Sequence, residues 1–276
     1  MSAPPVWVNG RLLPADQAAV SAFDHGVVVG DGVFETMRVY RGTPFALRRH
    51  LDRLGHSAAG LGLALPGRST LEGALAEVLA ASGLAEARLR LTVTGGPAPL
   101  GSGRGTGPPT VIAAVAPLDP VPPTADVAVV PWPRNERGAV AGLKTTSYAE
   151  NVVALARAAA AGAGEAVFAN TRGELCEGTG TNVVVGVGGR LLTPPLSSGC
   201  LAGVTRALVL ERCGVEEQAL PLSTLVDAEE AFLTSTTREV QPIATVDGHR
   251  LPDPPGPLTA AAMARFAELI ASDLDP

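Results

Sequence analysis

Residues 142–154 read GLKTTSYAENVVA and contain the one lysine of this 276-residue chain, Lys144. The other 20 of its 21 basic residues are arginines, so arginine supplies the ordinary surface cations. An arginine keeps its proton near neutral pH, whereas a lysine amine can lose it and act as a nucleophile or a base. The stretch therefore marks Lys144 as a candidate for covalent chemistry, with a chance lysine on a solvated loop as the alternative.

Local patterns on both sides of this stretch predict a mixture of strands and helices. The Asn-Gly pair in VWVNGRLL, residues 6–13, predicts a β-hairpin, and VFETMRVYRGTPFAL, residues 33–47, predicts a second one. Apolar residues then recur every three or four positions over residues 47–61, which predicts a helix. The Gly-rich residues 95–109 are too many for a tight turn and predict a long loop.

The segment PLDPVPPTAD, residues 117–126, carries four prolines in ten positions and predicts a linker. We expect a small N-terminal α+β domain over residues 1–118, a linker over 119–126 and a C-terminal domain over 127–276. Both halves mix strands and helices, so the predicted fold class is α+β.

Composition excludes several classes of function. The 21 basic and 27 acidic residues give a net charge of −6, which argues against the basic field of a nucleic-acid binder. No apolar run reaches the roughly 18–20 residues of a membrane span. Three cysteines without a CxxC pair predict neither a zinc ribbon nor a disulfide framework. We therefore expect a cytoplasmic protein that binds no membrane and no metal.

Other motifs could hold a phosphorylated cofactor beside Lys144. LAGVTRALVLE, residues 201–211, places backbone N–H groups and the Thr205 hydroxyl at a helix start, where phosphate binds; an ordinary N-cap is the alternative. Residues 234–239, TSTTRE, end a predicted strand with hydroxyl groups. Arg53 in HLDRL and Glu177 in ELCEGTGTN add a cation and a carboxylate. A solvated helix arginine and a turn residue are the alternatives for these two.

Taken in order, six motifs resemble the class IV aminotransferases, which are the fold-type IV pyridoxal-phosphate enzymes. The motifs are GDGVFETMRVYRG, HLDRL, GLKTTSYAENVVA, GELCEGTGTNVVV, LLTPPLSSGCLAGVTR and AFLTSTTREVQPI. The family includes branched-chain and D-amino acid aminotransferases, R-selective amine transaminases and 4-amino-4-deoxychorismate lyases. The resemblance spans nearly the whole chain. It implies a small N-terminal α/β domain, a larger C-terminal domain with a pseudo-barrel of strands and flanking helices, and a homodimer.

The resemblance also implies a role for each matched residue. Lys144 would bond pyridoxal 5'-phosphate as a Schiff base and then move the proton, and Glu177 would pair with the pyridine nitrogen. The phosphate would be held by Arg53, the backbone N–H of Val204, Thr205 and Thr236. Tyr148 would lie against the phenolic oxygen of the cofactor, as a tyrosine does in some members of the family.

Two features bear on which member of the family this chain is. The FET motif, which contains Thr36, resembles the corresponding motif of the lyases, in which a hydroxyl at this position is thought to help move a proton. Branched-chain enzymes tend to have glycine at this position. An ordinary β-former in a strand is the alternative for Thr36. VTGG, with Gly95, departs from the VTRG-like motif that carries a substrate arginine in the D-amino acid enzymes.

Three arginines are candidates to bind substrate carboxylates, with surface arginines kept for solubility as the alternative. They are Arg104 in the Gly-rich loop, Arg90 and Arg134. We expect a 4-amino-4-deoxychorismate lyase that releases pyruvate and 4-aminobenzoate, the folate precursor. The alternative is an aminotransferase acting on branched-chain or other small L- or D-amino acids. A Gly-rich nucleotide-binding protein is disfavoured, because neither GDG nor GLGLALPG has G-x-G-x-x-G spacing between a strand and a helix.

Overall fold

A computed structural model describes residues 4–276 of the chain, which form two compact units. The first unit comprises the residues up to Asp119 together with Leu143–Tyr148 and Leu274–Pro276. The second comprises Pro120–Gly142 and Ala149–Asp273. The segment that contains Lys144 thus belongs to the first unit, although it follows part of the second in sequence. The domain boundaries expected at residues 118 and 127 stay a prediction.

Over its described residues, the first unit has six strands and three helices. They are β1 (Pro5–Val8), β2 (Arg11–Pro14), α1 (His25–Val28), β3 (Gly32–Tyr40), β4 (Thr43–Pro44), α2 (Leu47–Leu61), α3 (Arg68–Ser82), β5 (Ala87–Thr94) and β6 (Thr110–Ala116). The strands form one antiparallel sheet in the order β2-β1-β6-β5-β3-β4. The predicted helix over residues 47–61 and the long loop over 95–109 are confirmed.

Both predicted hairpins form, but the second has a very short return strand. Asn9 and Gly10 have φ of 47° and 85°, as a two-residue hairpin turn requires, and β1 pairs with β2 across them. β4 is only two residues long. Its Pro44 has no N–H for further pairing, and Ala46 turns into a left-handed conformation from which α2 begins.

The core of the first unit forms between α2, α3 and one face of the sheet. Val33, Met37 and Val39 alternate along β3 and are fully buried in this core. Leu51 and Leu54 of α2 pack in the same cluster, on the helix face that the apolar spacing predicts. Residues 34 and 36 of β3 consequently lie on the opposite face of the sheet.

The second unit contains the remaining elements of the described chain. They are β7 (Ala125–Val129), α4 (Ala149–Ala160), β8 (Glu165–Ala169), β9 (Leu175–Gly178), β10 (Asn182–Val187), β11 (Arg190–Thr193), α5 (Val204–Cys213), β12 (Val215–Glu217), β13 (Glu230–Ser235), β14 (Glu239–Val246), β15 (His249–Arg250) and α6 (Pro257–Ser272), with 3-10 turns at Leu196–Ser198 and Leu222–Leu225. The strand path β10-β13-β14-β7-β8-β9 returns to β10, because Asn182 pairs with Glu177 of β9. This closed path is the predicted barrel of strands. None of the helices over residues 4–276 combines the length and the apolar character needed to cross a membrane.

A carboxylate from β13 holds the start of α6. The N-cap residue Gly256 has no side chain to cap the helix. Instead, the buried Glu230 accepts hydrogen bonds from the backbone N–H groups of Leu258 (3.2 Å) and Thr259 (2.6 Å). A Cβ at position 256 would lie 2.6 Å from the carboxyl carbon of Glu230, which accounts for the glycine. Negative charge at a helix N-terminus is favourable, so Glu230 both caps and stabilises α6.

We predict that Glu230→Ala lowers the free energy of unfolding by about 2–4 kcal/mol, because the buried N–H of Thr259 and the half-buried N–H of Leu258 lose their acceptor. Urea unfolding measures the loss, and hydrogen exchange at the amides of Leu258 and Thr259 locates it. Asp227→Ala, which removes an exposed carboxylate three residues away, is the control and should cost less than about 0.5 kcal/mol. Equal losses in the two variants would contradict the capping role.

Candidate functional site

Lys144 lies on a short extended segment that pairs with the start of β3. Phe34 N–H donates to the Lys144 carbonyl (3.2 Å), and Thr146 N–H donates to the Gly32 carbonyl (2.8 Å). Lys144 N–H donates to the hydroxyl of Ser57 on α2 (3.0 Å), which is fully buried. Three backbone hydrogen bonds therefore fix where the lysine stands against the sheet.

The hydroxyl residues after Lys144 secure the same segment. Thr146 Oγ1 and Ser147 Oγ both donate to the Gly30 carbonyl, at 2.7 and 3.0 Å. Gly30 has a φ of +70°, in the left-handed region that favours glycine. A Cβ at Gly32 would lie 2.9 Å from the Val93 carbonyl oxygen. The GDG and KTTS motifs thus contact each other and hold the same segment of backbone in place.

The lysine amine lies beside aromatic rings. Lys144 Nζ is 4.4 Å from the centroid of the Phe34 ring and 5.9 Å from that of Tyr148. The two rings meet edge to face with centroids 5.2 Å apart. The Arg90 guanidinium carbon lies 3.8 Å from the Phe34 centroid, and burial lowers the pKa of Arg90 from its ordinary value. The structure thus brings Lys144, Tyr148 and Arg90 together around one phenylalanine.

Thr36 shares this face of the sheet. Strand alternation places Thr36 on the same side of β3 as Phe34. In the antiparallel register with β5, Thr36 stands opposite Arg90 and Phe34 stands opposite Thr92. The hydroxyl expected to assist proton transfer therefore lies two residues along β3 from Phe34, whose ring the Lys144 amine contacts.

Arg53 belongs to a buried network on the opposite face of β3. Its Nε and Nη2 donate to the two carboxylate oxygens of Glu35, at 2.8 and 2.6 Å. His50 Nδ1 lies 2.7 Å from Glu35 Oε2. Glu35 is completely buried and His50 is 1% exposed. An ionised carboxylate can only accept, so His50 Nδ1 must carry the hydrogen of this bond.

Both titratable groups of this network are shifted. Burial alone would raise the pKa of Glu35, but the charge and hydrogen bonds of Arg53, with a contribution from His50, lower it to about 2. Burial lowers the pKa of His50, although Glu35 acts in the opposite direction. At neutral pH the network is therefore one carboxylate that accepts hydrogen bonds from a guanidinium and from a neutral imidazole.

Sequence reasoning did not assign Glu35 or His50 to the site. Two signals could have found them. Glu35 stands between Val33 and Met37 on the core face of a strand, where a charge needs a partner. His50 precedes Arg53 by three residues on α2, so both side chains lie on the same helix face.

Arg104, a predicted substrate residue, is held by groups of the first unit. Its Nε and Nη2 donate to the two oxygens of Asp31 at 2.6 and 2.5 Å, and its Nη1 donates to the Gly62 carbonyl at 2.6 Å. Hydrogen bonds from Arg104, followed by those from His25, lower the pKa of Asp31. Arg104 thus ties the Gly-rich loop to the body of the unit.

In the second unit, Glu177 lies at the end of β9 with contacts to both carboxylate oxygens. Leu201 N–H donates to Oε2 (2.8 Å), and Arg134 Nε lies 3.2 Å from Oε1. Arg134, the third predicted substrate arginine, is therefore an ion-pair partner of Glu177. Asn182 Nδ2 donates to the Leu201 carbonyl (2.9 Å), which fixes the loop that delivers this N–H group.

The start of α5 in the same unit suits a phosphate. No side chain caps the helix at Gly203, where a Cβ would lie 2.1 Å from Asn182 Oδ1. Val204 is the first helical residue, and the Thr205 side chain is buried in the first turn. Thr234 Oγ1, at the end of β13, is buried without a hydrogen-bond partner in the described structure. An uncapped helix start is a natural anion site, so these residues fit the phosphate of a cofactor.

Thr236 follows β13 and is half-buried. The strand itself ends at Ser235, one residue before Thr236. Thr236 thus occupies the turn that leads into β14, as the hydroxyl-rich TSTT motif predicts.

A pyridoxal-phosphate enzyme needs a lysine amine, a carboxylate and a phosphate site. The first unit offers the amine at Lys144, and the second offers a carboxylate at Glu177 and an uncapped helix start at α5. The sequence profile of the family described as Amino-transferase class IV matches residues 32–246. The chain belongs to the class IV aminotransferase family, as the motifs predicted.

Relatives of known name carry different activities. The chain is 33% identical over 277 residues to the D-alanine aminotransferase of Bacillus licheniformis, covering 97% of this chain and 98% of that protein. It is 30% identical over 277 residues to the aminodeoxychorismate lyase of Bacillus subtilis, covering 96% and 94%.

A solved structure confirms the fold-type IV architecture and bears on the cofactor. The T.th. branched-chain amino acid aminotransferase, solved with pyridoxamine 5'-phosphate, is similar with a TM-score of 0.90 and 26% identity. The match covers 98% of this chain and 95% of the chain of that aminotransferase. Pyridoxal 5'-phosphate is accordingly the cofactor of the 276-residue protein.

Proposed function

We propose that this enzyme is a 4-amino-4-deoxychorismate lyase, which eliminates pyruvate from its substrate and leaves 4-aminobenzoate. The observation that carries the proposal is the position of Thr36, on the sheet face of Phe34, whose ring the Lys144 amine contacts at 4.4 Å. A hydroxyl there can pass a proton to a departing group, which a transamination does not need. The 30% identity with the lyase of Bacillus subtilis supports the same activity.

The residues of both units suit the cofactor, which supplies an electron sink when bound. Lys144 would hold it covalently, and Glu177 would accept a hydrogen bond from its ring nitrogen. Tyr148, already against Phe34, would face its phenolic oxygen. The phosphate would be held by Arg53, Val204 N–H, Thr205 and Thr236. Glu35 would act through Arg53 by fixing the guanidinium plane.

Proton transfer falls to Lys144 and Thr36. Once its amine is released by the incoming substrate, Lys144 Nζ would remove the proton from the carbon that bears the substrate amino group. Arg90 lies on the same phenylalanine ring as the Lys144 amine, so a substrate held by its guanidinium would lie close to this base. Thr36 would then deliver a proton to the leaving group.

Arg90 is the strongest candidate to bind a substrate carboxylate. It lies beside Phe34 with Lys144, and its hydrogen bond from Nε to Thr92 Oγ1 is long at 3.3 Å. The Arg104 guanidinium instead donates hydrogen bonds to the Asp31 carboxylate and to the Gly62 carbonyl. The substrate of the lyase carries two carboxylates, so a second cation is expected besides Arg90.

An aminotransferase acting on branched-chain or other small amino acids is the second candidate. The 33% identity with a D-alanine aminotransferase favours it. Gly95 argues against a close copy of that enzyme, since the substrate arginine of the D-amino acid subgroup is missing there. The homodimer and the cytoplasmic location stay predictions, and sedimentation of the purified enzyme tests the first.

The visible spectrum of the loaded enzyme separates the two candidates. L-glutamate, L-leucine and D-alanine are added in turn, and release of pyruvate from aminodeoxychorismate is measured in parallel. Pyruvate release with a spectrum unmoved by the three amino acids is the expected result. Conversion to the pyridoxamine form by one of them, without release of pyruvate from aminodeoxychorismate, would establish the aminotransferase.

We predict that Thr36→Gly lowers the rate of pyruvate release by roughly 100-fold, because a proton donor is lost. Any slow half-transamination by the same variant should fall less than about tenfold. Thr36→Ser, which keeps the hydroxyl, is the control and should retain most of the lyase activity. Equal losses of both reactions in Thr36→Gly would assign Thr36 a structural role.

A further inference from the structure

All three nitrogens of the Arg134 guanidinium contact other side chains of the second unit, one of them that of Glu177. The guanidinium lies over the buried ring of Phe168, with its central carbon 4.2 Å from the centroid. Its Nη1 donates to Glu150 Oε2 and its Nη2 donates to Asn151 Oδ1, both at 2.7 Å. The third nitrogen, Nε, is the one that lies 3.2 Å from Glu177 Oε1.

Backbone contacts hold the same arginine at a second point. Arg134 N–H donates to the Ala169 carbonyl at 2.7 Å. Asn151, which accepts from the guanidinium, donates from Nδ2 to the carbonyl of Thr179, two residues after Glu177. Arg134 thus contacts the Glu177 carboxylate directly and supports the following loop through Asn151.

Arg134 Nε lies close enough to Glu177 Oε1 for an ion pair, but it donates no hydrogen bond to the carboxylate. The side chains are 16% and 13% exposed, so solvent screens the pair only in part. A guanidinium beside a carboxylate favours the ionised form of that carboxylate. An ionised Glu177 can accept a hydrogen bond but cannot donate one.

We propose that Arg134 is a positioning residue that keeps Glu177 ionised and correctly oriented, so that a proton shared with the cofactor's ring nitrogen stays on the nitrogen. This inference rests on the proposed function, which places Glu177 at that nitrogen. Without the arginine charge, the carboxylate would compete better for the shared proton. Arg134 would therefore tune the electron-withdrawing power of the cofactor without touching the substrate.

The test measures the protonation state of the cofactor's ring nitrogen. The apoenzyme is reconstituted with pyridoxal 5'-phosphate labelled with ¹⁵N in the ring, and the ¹⁵N chemical shift separates protonated from neutral nitrogen. The wild type should show the protonated shift, and Arg134→Gln should move toward the neutral one. The dissociation constant of the cofactor should rise about tenfold, as expected when a charge-assisted contact is lost.

Arg137→Gln is the matched control, since it removes an exposed positive charge three residues away. It should leave both the shift and the cofactor affinity unchanged. Arg134→Met keeps an apolar contact with Phe168 and replaces Arg134→Gln in the test if the glutamine variant does not fold.

A protonated shift that is unchanged in Arg134→Gln and Arg134→Met would overturn this inference while leaving the proposed function intact. A wild-type enzyme that binds no labelled cofactor, or binds it with a neutral nitrogen, would overturn the assignment of Glu177 and the inference together.

Discussion

Lys144→Ala will no longer be labelled when the enzyme is loaded with pyridoxal 5'-phosphate and reduced with borohydride. The reason is chemical, since only an unprotonated amine can condense with the cofactor aldehyde and Lys144 is the single lysine of the chain. Catalysis should fall by at least roughly 10³-fold, because both the covalent attachment and the general base are lost. Peptide mapping of the reduced wild type measures the first effect, and pyruvate release measures the second.

Lys144→Arg is the control for charge. It keeps a cation beside the Phe34 ring but cannot form the covalent bond, so it too should escape labelling. Melting temperatures of the three proteins show whether either variant has lost its fold. A reduced pyridoxyl group that peptide mapping finds on another side chain of Lys144→Ala would place the attachment elsewhere and remove the central assignment.

The sequence predicted the fold well where a local pattern decides the structure. The Asn-Gly turn at Asn9 and the three-to-four spacing over Leu47–Leu61 led to the correct hairpin and helix. The barrel is different, because it needs strands that are distant in sequence to pair, as β7 does with β14 when Ala125 stands opposite Ile243. Only the resemblance to a family gave this non-local feature.

The residues of the candidate site also differ in how far the sequence predicts them. Lys144 stands out in the sequence because the chain has no other lysine, whereas Thr36 is singled out only by the resemblance of FET to the lyases. The partners of the arginines could not be read from the sequence, because an arginine reaches several neighbours over a long side chain. Hence Arg104 and Arg134 were grouped with Arg90 as substrate residues, although the structure pairs them with Asp31 and Glu177.

Glu35 would connect packing with cofactor binding in the first unit if Arg53 holds the cofactor phosphate as proposed. Its carboxylate is the shared acceptor for Arg53 and His50, and none of it is exposed. A buried ion pair contributes little beyond its desolvation penalty, yet removing one partner leaves a buried charge uncompensated. Arg53 would be that charge in a variant without Glu35.

We predict that Glu35→Ala lowers the free energy of unfolding by about 3–5 kcal/mol and weakens cofactor binding, because the Arg53 guanidinium loses its orientation. Chemical unfolding of the apoenzyme measures the first effect separately from the second. Glu77→Ala is the control; it removes an exposed carboxylate that accepts from Trp7 Nε1, and should cost less than about 1 kcal/mol. A Glu35→Ala protein as stable as this control would contradict the buried ion pair.

The pH dependence of Glu35→Gln gives the sharpest test of the same network. The pKa of Glu35 is about 2 in the folded protein against an ordinary value of 4.5. The ionised carboxylate therefore stabilises the wild type above pH 4.5, and this contribution is lost as the pH falls toward 2. Linkage gives a size of roughly 3 kcal/mol. Glutamine does not titrate, so between pH 4.5 and 2 the wild type should lose about that much more free energy of unfolding than Glu35→Gln does. Urea unfolding at several pH values measures both losses, and equal losses would show that folding does not lower the pKa of Glu35.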